Sequence, residues 1–332
     1  MRAYVLEGVG LDRLELVERP APKLEARKVL LKMRAFSLNA RDLQTVHGHY
    51  PINCGFPVVP LSDGVGEVVA RGDSVTRFAV GERVAPIFAQ RWLSGPRDAD
   101  TWASTLASDL DGVLQEYVAL HEDGLVRVPD HLSDVEAATL PTAGVAAWEA
   151  LVSRGQVGAG DRVLVQGTGV VSLFALQFAY MLGAHVIVTS ESAEKLEKAR
   201  ALGAWETVLR SDPEWPARVR ELTSGRGVDH VVDVAGDLSA SVACVRSGGC
   251  ISQVGYLAKL KLEVDVFQWL LANARLEGVS VGPRASFEAM NEAISRHRLR
   301  PVIWRRFEFS RAREAYASLQ ASDRFGKVVL TL

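Results

Sequence analysis

Cysteine is scarce in this chain. There are three in 332 residues, Cys54, Cys244 and Cys250, far apart and with no C-x-x-C pair. That spacing argues against a disulfide framework or a cysteine-bound zinc lobe and fits a reducing cytoplasm. Charge of one sign is missing too: 38 Lys and Arg against 40 Asp and Glu leave a net charge of −2, which offers no electrostatic footprint for nucleic acid or an anionic membrane. The apolar run at 170–182 is too short to cross a bilayer. The opening Met1-Arg-Ala-Tyr-Val-Leu reads as a strand followed by Glu7-Gly8, not as a signal peptide. What is present is ordinary for a globular chain, 48% hydrophobic and 23% charged, with length enough for two cores.

The most telling stretch is Val163-Leu-Val-Gln-Gly-Thr-Gly-Val-Val-Ser172, followed by an apolar run and then Gly183-Ala-His-Val-Ile-Val-Thr-Ser190. It reads as strand, tight glycine turn, buried helix and second strand, the opening of a nucleotide-binding βαβ unit. Gly167 permits the sharp turn, and Gly169 has no Cβ to obstruct a pyrophosphate. The helix starting near Val170 turns free N–H groups and its positive dipole end toward phosphates. Thr168, Val170 and Val171 complete the candidate phosphate cradle. Ser172 stands where G-x-G-x-x-G has its third glycine; it is small enough for close packing, but it weakens the match. A plain tight turn is the competing reading, and the flanking elements favour the cofactor.

The first part of the chain, to about residue 125, carries β-type segments broken by glycine and proline at 28–34, 64–70, 83–87 and 116–120. Residues 90–112 lack periodicity and read as a long surface loop. Helical spacing appears at 133–139, with Ser133 a candidate cap, and at 144–153. Strands then fall near 162–167, 185–190, 206–209, 229–235, 249–255 and 276–281, alternating with helices near 170–182, 192–202, 213–223, 237–246 and 265–273. The strands are nearly continuous apolar runs, as a parallel sheet covered on both faces requires. A helix at 311–320 and a last strand at 327–332 follow. That strand needs a partner, and the amino-terminal β domain is the expected one.

Along the chain stand Ser37-Leu-Asn-Ala-Arg-Asp-Leu43, Gly48-His-Tyr-Pro51, Pro60-Leu-Ser-Asp-Gly-Val-Gly-Glu-Val68, Gly81-Glu-Arg-Val84, Ala137-Ala-Thr-Leu-Pro141, the glycine turn, Gly225-Arg-Gly-Val-Asp229 and Phe325-Gly-Lys-Val-Val329. Together these segments resemble the medium-chain dehydrogenase/reductase superfamily, which contains zinc alcohol dehydrogenases and zinc-free quinone oxidoreductases. The resemblance implies an α/β fold: a GroES-like β-rich catalytic domain over 1–142, completed by 283–332, and a doubly wound six-stranded parallel Rossmann sheet over 143–282, with a cleft between them. It also implies a homodimer paired through the edge strand at 276–281.

The departures carry the chemistry. Where zinc-dependent members hold the catalytic metal with Cys, His and Cys, the matching positions are Asn39, Ser62 and Thr142, none a good ligand for Zn²⁺. The stretch matching the structural-zinc lobe, 87–112, has no cysteine. His47 and His49 offer two ligands at best. The resemblance thus implies a zinc-free member. Zinc lowers the pKa of bound water from about 15.7 to about 7 and ionises an alcohol likewise. Without it, reduction of a conjugated acceptor is favoured, because the charge spreads to an oxygen that hydrogen bonds can hold.

The resemblance also names candidate residues. Tyr50 is either a proton donor to the developing oxyanion or a tyrosine packed at a loop. Asn39 holds substrate or nicotinamide ribose, or stabilises a turn. Asp42 orients Arg41 as an ion pair, a structural role as readily as a catalytic one. Thr142 sits against the nicotinamide or begins a helix. His49 as a proton relay is the weaker reading beside a solvated loop histidine. Ser190 replaces the acidic residue of NAD-specific members; a carboxylate would repel a 2′-phosphate, whereas serine donates to it. Lys195 matches a phosphate-binding lysine, although Glu191 adjoins Ser190. The expected cofactor is therefore NADPH rather than NADH. Lys327 matches a basic position near the pyrophosphate, and Val254, Gly255 and Tyr256 border the nicotinamide carboxamide. Val170, usually glycine in close relatives, crowds the phosphates. The expected function is zinc-independent reduction of a quinone, enone or related activated double bond. Enoyl-thioester reduction, zinc-free alcohol or aldehyde oxidoreduction, and non-catalytic NADPH binding like that of zeta-crystallins are the alternatives.

Overall fold

The computed structural model describes residues 1–52, 55–255 and 261–332. They form two compact units, one of Met1–Val145 with Gly282–Leu332, the other of Ala146–Val281.

The first unit is built on antiparallel strands. β1 (Arg2–Leu6) pairs β2 (Leu14–Glu18) as a ribbon. A seven-stranded sheet contains β3 (Lys28–Leu38), β4 (Asp63–Arg71), β5 (Arg83–Pro86), β6 (Tyr117–His121) and β7 (Leu125–Arg127), with β3 bonded to both β4 and β6. β3 largely alternates apolar and polar residues and buries Val29, Leu31, Met33, Phe36 and Leu38, all 0–1% exposed, against one core. A short helix, α1 (Ala40–Val46), begins where β3 ends, at Asn39.

Residues 90–112 are not the expected surface loop. Trp92, Ser104, Thr105, Leu106 and Ala107 are buried, and the segment contains a helical turn, α2 (Ala99–Trp102), capped by Asp98. Its polar side chains satisfy local backbone groups, as Ser104 Oγ does with Thr101 O at 2.7 Å, so aperiodic sequence is compatible with burial here. α3 (Asp134–Ala137) follows Ser133, whose hydroxyl accepts from Glu136 N. The expected helix at 144–153 is α4 (Val145–Trp148), flanked by wider π-helical turns at Leu140–Gly144 and Glu149–Ser153.

In the second unit β8 (Arg162–Gln166), α5 (Val170–Met181), β9 (His185–Ser190), α6 (Ala193–Ala201), β10 (Glu206–Leu209), α7 (Trp215–Leu222), β11 (Val228–Asp233), α8 (Leu238–Cys244), β12 (Val245–Gln253), α9 (Val266–Ala272) and β13 (Arg275–Gly278) alternate. The sheet order is β10-β9-β8-β11-β12-β13 and every pairing is parallel. This is a doubly wound sheet whose order reverses between β8 and β11, the place where such sheets bind ligands. Val163, Leu164, Val165, Val231 and Val232 are 0% exposed, which accounts for their unbroken apolar sequence.

The chain then returns to the first unit with α10 (Arg284–His297), β14 (Ile303–Glu308), α11 (Ala312–Ser318) and β15 (Lys327–Thr331). β15 lies between β14 and β3, antiparallel to β3, so the last strand finds its expected partner. α10 and β14 go beyond the sequence expectations. The buried row of α10 is Phe287, Met290, Asn291 and Ile294, and the asparagine, donating to Arg127 O at 2.8 Å, interrupts the apolar pattern.

Candidate active site

In the first unit, the end of β3 delivers Asn39 at 6% exposed. Its backbone N–H donates to Asp42 Oδ2 at 2.7 Å, which closes the first turn of α1 and gives Asp42 a structural task. Burial pushes the Asp42 carboxyl up to about 6, although Arg41 and the Asn39 N–H pull the other way. Arg41 Nε is 3.9 Å from Asp42, and its Nη2 donates to Leu106 O and Ala107 O at 3.1 Å each. The Tyr50 ring lies 5.2 Å from the Arg41 guanidinium. Arg41 therefore ties α1 to the segment carrying Leu106 and stacks on the tyrosine.

The strand start of β4 delivers Ser62 and Asp63, each 0% exposed, and β15 delivers Lys327, 1% exposed. The Lys327 ammonium donates to Asn39 Oδ1 at 2.7 Å and to Leu38 O at 3.1 Å, and lies 3.5 Å from Asp63 Oδ2. Burial lowers the Lys327 pKa, and the Asp63 and Asp42 carboxylates oppose this. The other oxygen of Asp63 accepts from Ser62 Oγ at 2.9 Å and from Thr142 Oγ1, with Ser62 Oγ and Thr142 Oγ1 3.3 Å apart. The three positions that correspond to zinc ligands are thus joined into one network around an ion pair. A phosphate contact was expected of Lys327; its ammonium is instead engaged inside this unit. Asp63 was missed as a centre of the site. Its signal was present: a carboxylate at the head of the buried strand β4 requires a cation.

The donor set does not fit a zinc ion. It offers a carboxamide already bound through its oxygen, two hydroxyls, and an Asp63 carboxylate already engaged by both hydroxyls and by an ammonium, whereas zinc sites use three or four free thiolate, imidazole or carboxylate ligands. Among the described residues no group of three or more His, Cys, Asp or Glu is placed to hold a metal.

In the second unit the glycine turn lies at the C-terminal end of β8. Gly167 has φ +81°, a conformation that favours glycine, and Gly169 caps α5. A Cβ added at Gly169 would meet nothing within 4 Å, so the absent side chain leaves open space at a helix N-terminus, as a dinucleotide phosphate needs. Ser172 is compatible with the turn because its hydroxyl donates to Gln166 O at 2.9 Å. Thr168 Oγ1 and Ser190 Oγ are 3.4 Å apart, and Ser190 Oγ also accepts from Ser192 N at 3.2 Å. Val170 and Val171 open α5, and Lys195 is half-buried on α6. Val254 N and Gly255 N donate to Asp233 O at 2.9 and 3.2 Å, which fixes the turn after β12. A Cβ on Gly255 would lie 1.9 Å from Val234 O, so only glycine fits. Tyr256 lies outside the described residues.

Comparison with known proteins agrees with this architecture. An alcohol dehydrogenase GroES-like domain matches residues 25–130, and a zinc-binding dehydrogenase domain matches 170–296. A zinc-type alcohol dehydrogenase-like protein of Schizosaccharomyces pombe is 40% identical over 97% of this chain and 96% of its own length. A quinone oxidoreductase of Pseudomonas aeruginosa is 33% identical over 74% of this chain and 70% of its own. The crystal structure of an NAD-dependent alcohol dehydrogenase superposes with TM-score 0.90 at 32% identity, covering 100% of both chains. With a GroES-like domain, a doubly wound nucleotide sheet and relatives along its whole length, the chain belongs to the medium-chain dehydrogenase/reductase superfamily of NAD(P)-dependent oxidoreductases.

Proposed function

We propose that this protein is a zinc-independent, NADPH-dependent reductase of quinones, enones or other activated double bonds. The observation that carries the reading is the Lys327–Asp63 pair bonded to the residues at all three metal-ligand positions. The Gly167–Gly169 turn and Ser190 would hold NADPH, which when bound would supply hydride to one end of the conjugated acceptor and leave the negative charge on its oxygen. Asn39 holds that oxygen and Tyr50, or water, returns the proton. Thr142 and the Arg41–Asp42 segment shape the pocket wall. An acceptor of this kind needs hydrogen-bond donors rather than a Lewis acid.

The test is NADPH oxidation against naphthoquinone, a simple enone and a crotonyl thioester, with metal analysis of the same preparation. Turnover of a quinone or enone at negligible zinc content supports the reading, and no consumption with any acceptor removes it. Stoichiometric zinc would favour the alcohol oxidation that the names of several relatives suggest.

Two substitutions test the nucleotide half. Gly169→Ala is expected to leave the melting temperature within a few degrees, because the new methyl meets no protein atom, while weakening NADPH binding by about tenfold, or ~1.4 kcal/mol. Calorimetric titration showing unchanged affinity would place the phosphates elsewhere. For Ser190→Asp, the new carboxylate repels a 2′-phosphate, so the ratio of kcat/KM for NADPH over NADH is expected to fall by at least about tenfold. An unaltered ratio would overturn Ser190 as the ribose-end residue, and with it the companion role of Lys195.

The reading includes a homodimer in a reducing, cytoplasmic setting. In the second unit β13 pairs only β12 among the described strands, and Val266, Phe267, Leu270 and Leu271 of α9 are 65–69% exposed. An unpaired edge strand and an exposed apolar helix face in the same unit support association of two copies. Sedimentation velocity giving a monomer at micromolar concentration would refute it. No helix of the described residues is long and apolar enough to cross a membrane.

A further inference from the structure

Asn39 Nδ2 is buried with no hydrogen-bond partner among the described residues, while Oδ1 of the same amide is 2.7 Å from Lys327 Nζ. An ammonium donates only, so it dictates which end of the carboxamide faces it. The NH₂ end is thereby committed to the opposite side, where a buried donor without a partner is unfavourable until something accepts from it. The contact has a second effect. A hydrogen bond from an ammonium to the amide oxygen draws electron density from the amide nitrogen, and linked bonds in a low-dielectric site strengthen one another.

Asp63 completes the arrangement. It neutralises Lys327, with Oδ2 3.5 Å from the ammonium, and accepts the Thr142 hydroxyl hydrogen bond on its other oxygen. The Thr142 oxygen is therefore left as an acceptor, and Asn39 as the donor.

We propose that Lys327 is a positioning residue. Its ammonium locks the Asn39 carboxamide so that Nδ2 is a charge-assisted donor to the oxygen of the substrate that gains negative charge on reduction. The assignment rests on the zinc-independent reductase reading for its chemistry, and on the bonding pattern alone for the lock. It replaces the expectation that Lys327 serves the cofactor phosphates.

The test has two arms on the full chain. In ¹⁵N spectra of the lysine ammonium groups, a hydrogen-bonded, slowly exchanging signal is expected that disappears in Lys327→Arg and shifts in Asn39→Leu. If Asn39→Leu leaves it unmoved, the lock is refuted, whatever the activity. In the kinetic arm, Lys327→Arg, which retains donors, is expected to keep kcat within about threefold. Asp63→Asn/Lys327→Met, which strands no charge, is expected to lower kcat about 100-fold with the NADPH KM within twofold, as loss of one oxyanion donor does. Adding Asn39→Leu to that pair is expected to cost nothing more, because the lysine acts through the asparagine. A raised NADPH KM with unchanged kcat would restore the phosphate role, and additive losses would separate Lys327 from Asn39. If the wild type reduces no acceptor, the reductase reading falls, while the spectral arm still decides the lock.

Discussion

Replacing Asp63 with alanine is expected to destabilise the first unit by about 3–5 kcal/mol, the cost of leaving a buried charge uncompensated. Lys327 is 1% exposed, and Asp63 is its one counter-ion within 4 Å among the described residues. The substitution also strands the Ser62 and Thr142 hydroxyls, both of which donate to Asp63. Asp63→Asn/Lys327→Met is expected to recover most of the loss, since a neutral pair removes both charges and keeps an acceptor for the two hydroxyls. Urea denaturation at pH 7, followed by tryptophan fluorescence, measures both variants. A loss under about 1 kcal/mol for Asp63→Ala would mean that water reaches the ammonium, and the buried network would have to be redrawn.

The second large effect depends on pH and lies in the other unit. His230 sits in β11 between β8 and β12, 1% exposed, with neither ring nitrogen hydrogen-bonded among the described residues. Burial, reinforced by Arg275, pushes its pKa down from 6.5 to about 4. The unfolded chain therefore binds a proton below pH 6.5 that the folded protein refuses until about pH 4. Stability from this residue is complete above pH 6.5 and is lost as pH falls, by about 3 kcal/mol at the bottom of the window. His230→Leu removes this term. Between pH 7 and pH 4 the wild type is expected to lose about 3 kcal/mol more than the variant. Asp42 acts in the opposite direction: its raised pKa adds stability at low pH that disappears as pH rises through about 6. Both proteins share that term, so it cancels in the difference. Parallel stability curves for the two proteins would show that His230 can be protonated in place.

The second unit was the more legible of the two in sequence. Its central strands β8 and β11 are buried on both faces, so Val163–Val165 and Val231–Val232 announce themselves as apolar runs. Gly167 marks the turn through its φ of +81°, and Gly169 through the open space its missing side chain leaves at the start of α5. The first unit hid more. Residues 90–112 fill part of its interior with polar side chains bonded to nearby backbone, which no hydrophobic period reveals. α10 was obscured by the single buried asparagine at 291.

Sequence singles out Asn39, Ser62, Thr142 and Lys327 as candidates one at a time, through motifs. It could not join them, because they come from strands and turns as much as 288 residues apart in the chain. Composition, the glycine turn and the spaced motifs determined the class of protein, since these are properties of residue type and local spacing. Which proton faces which oxygen was decided only when β3, β4 and β15 came together: a lysine expected at a phosphate became the partner of an amide and a carboxylate. A charge takes its role from the groups that enclose it, and that enclosure exists only in the folded chain.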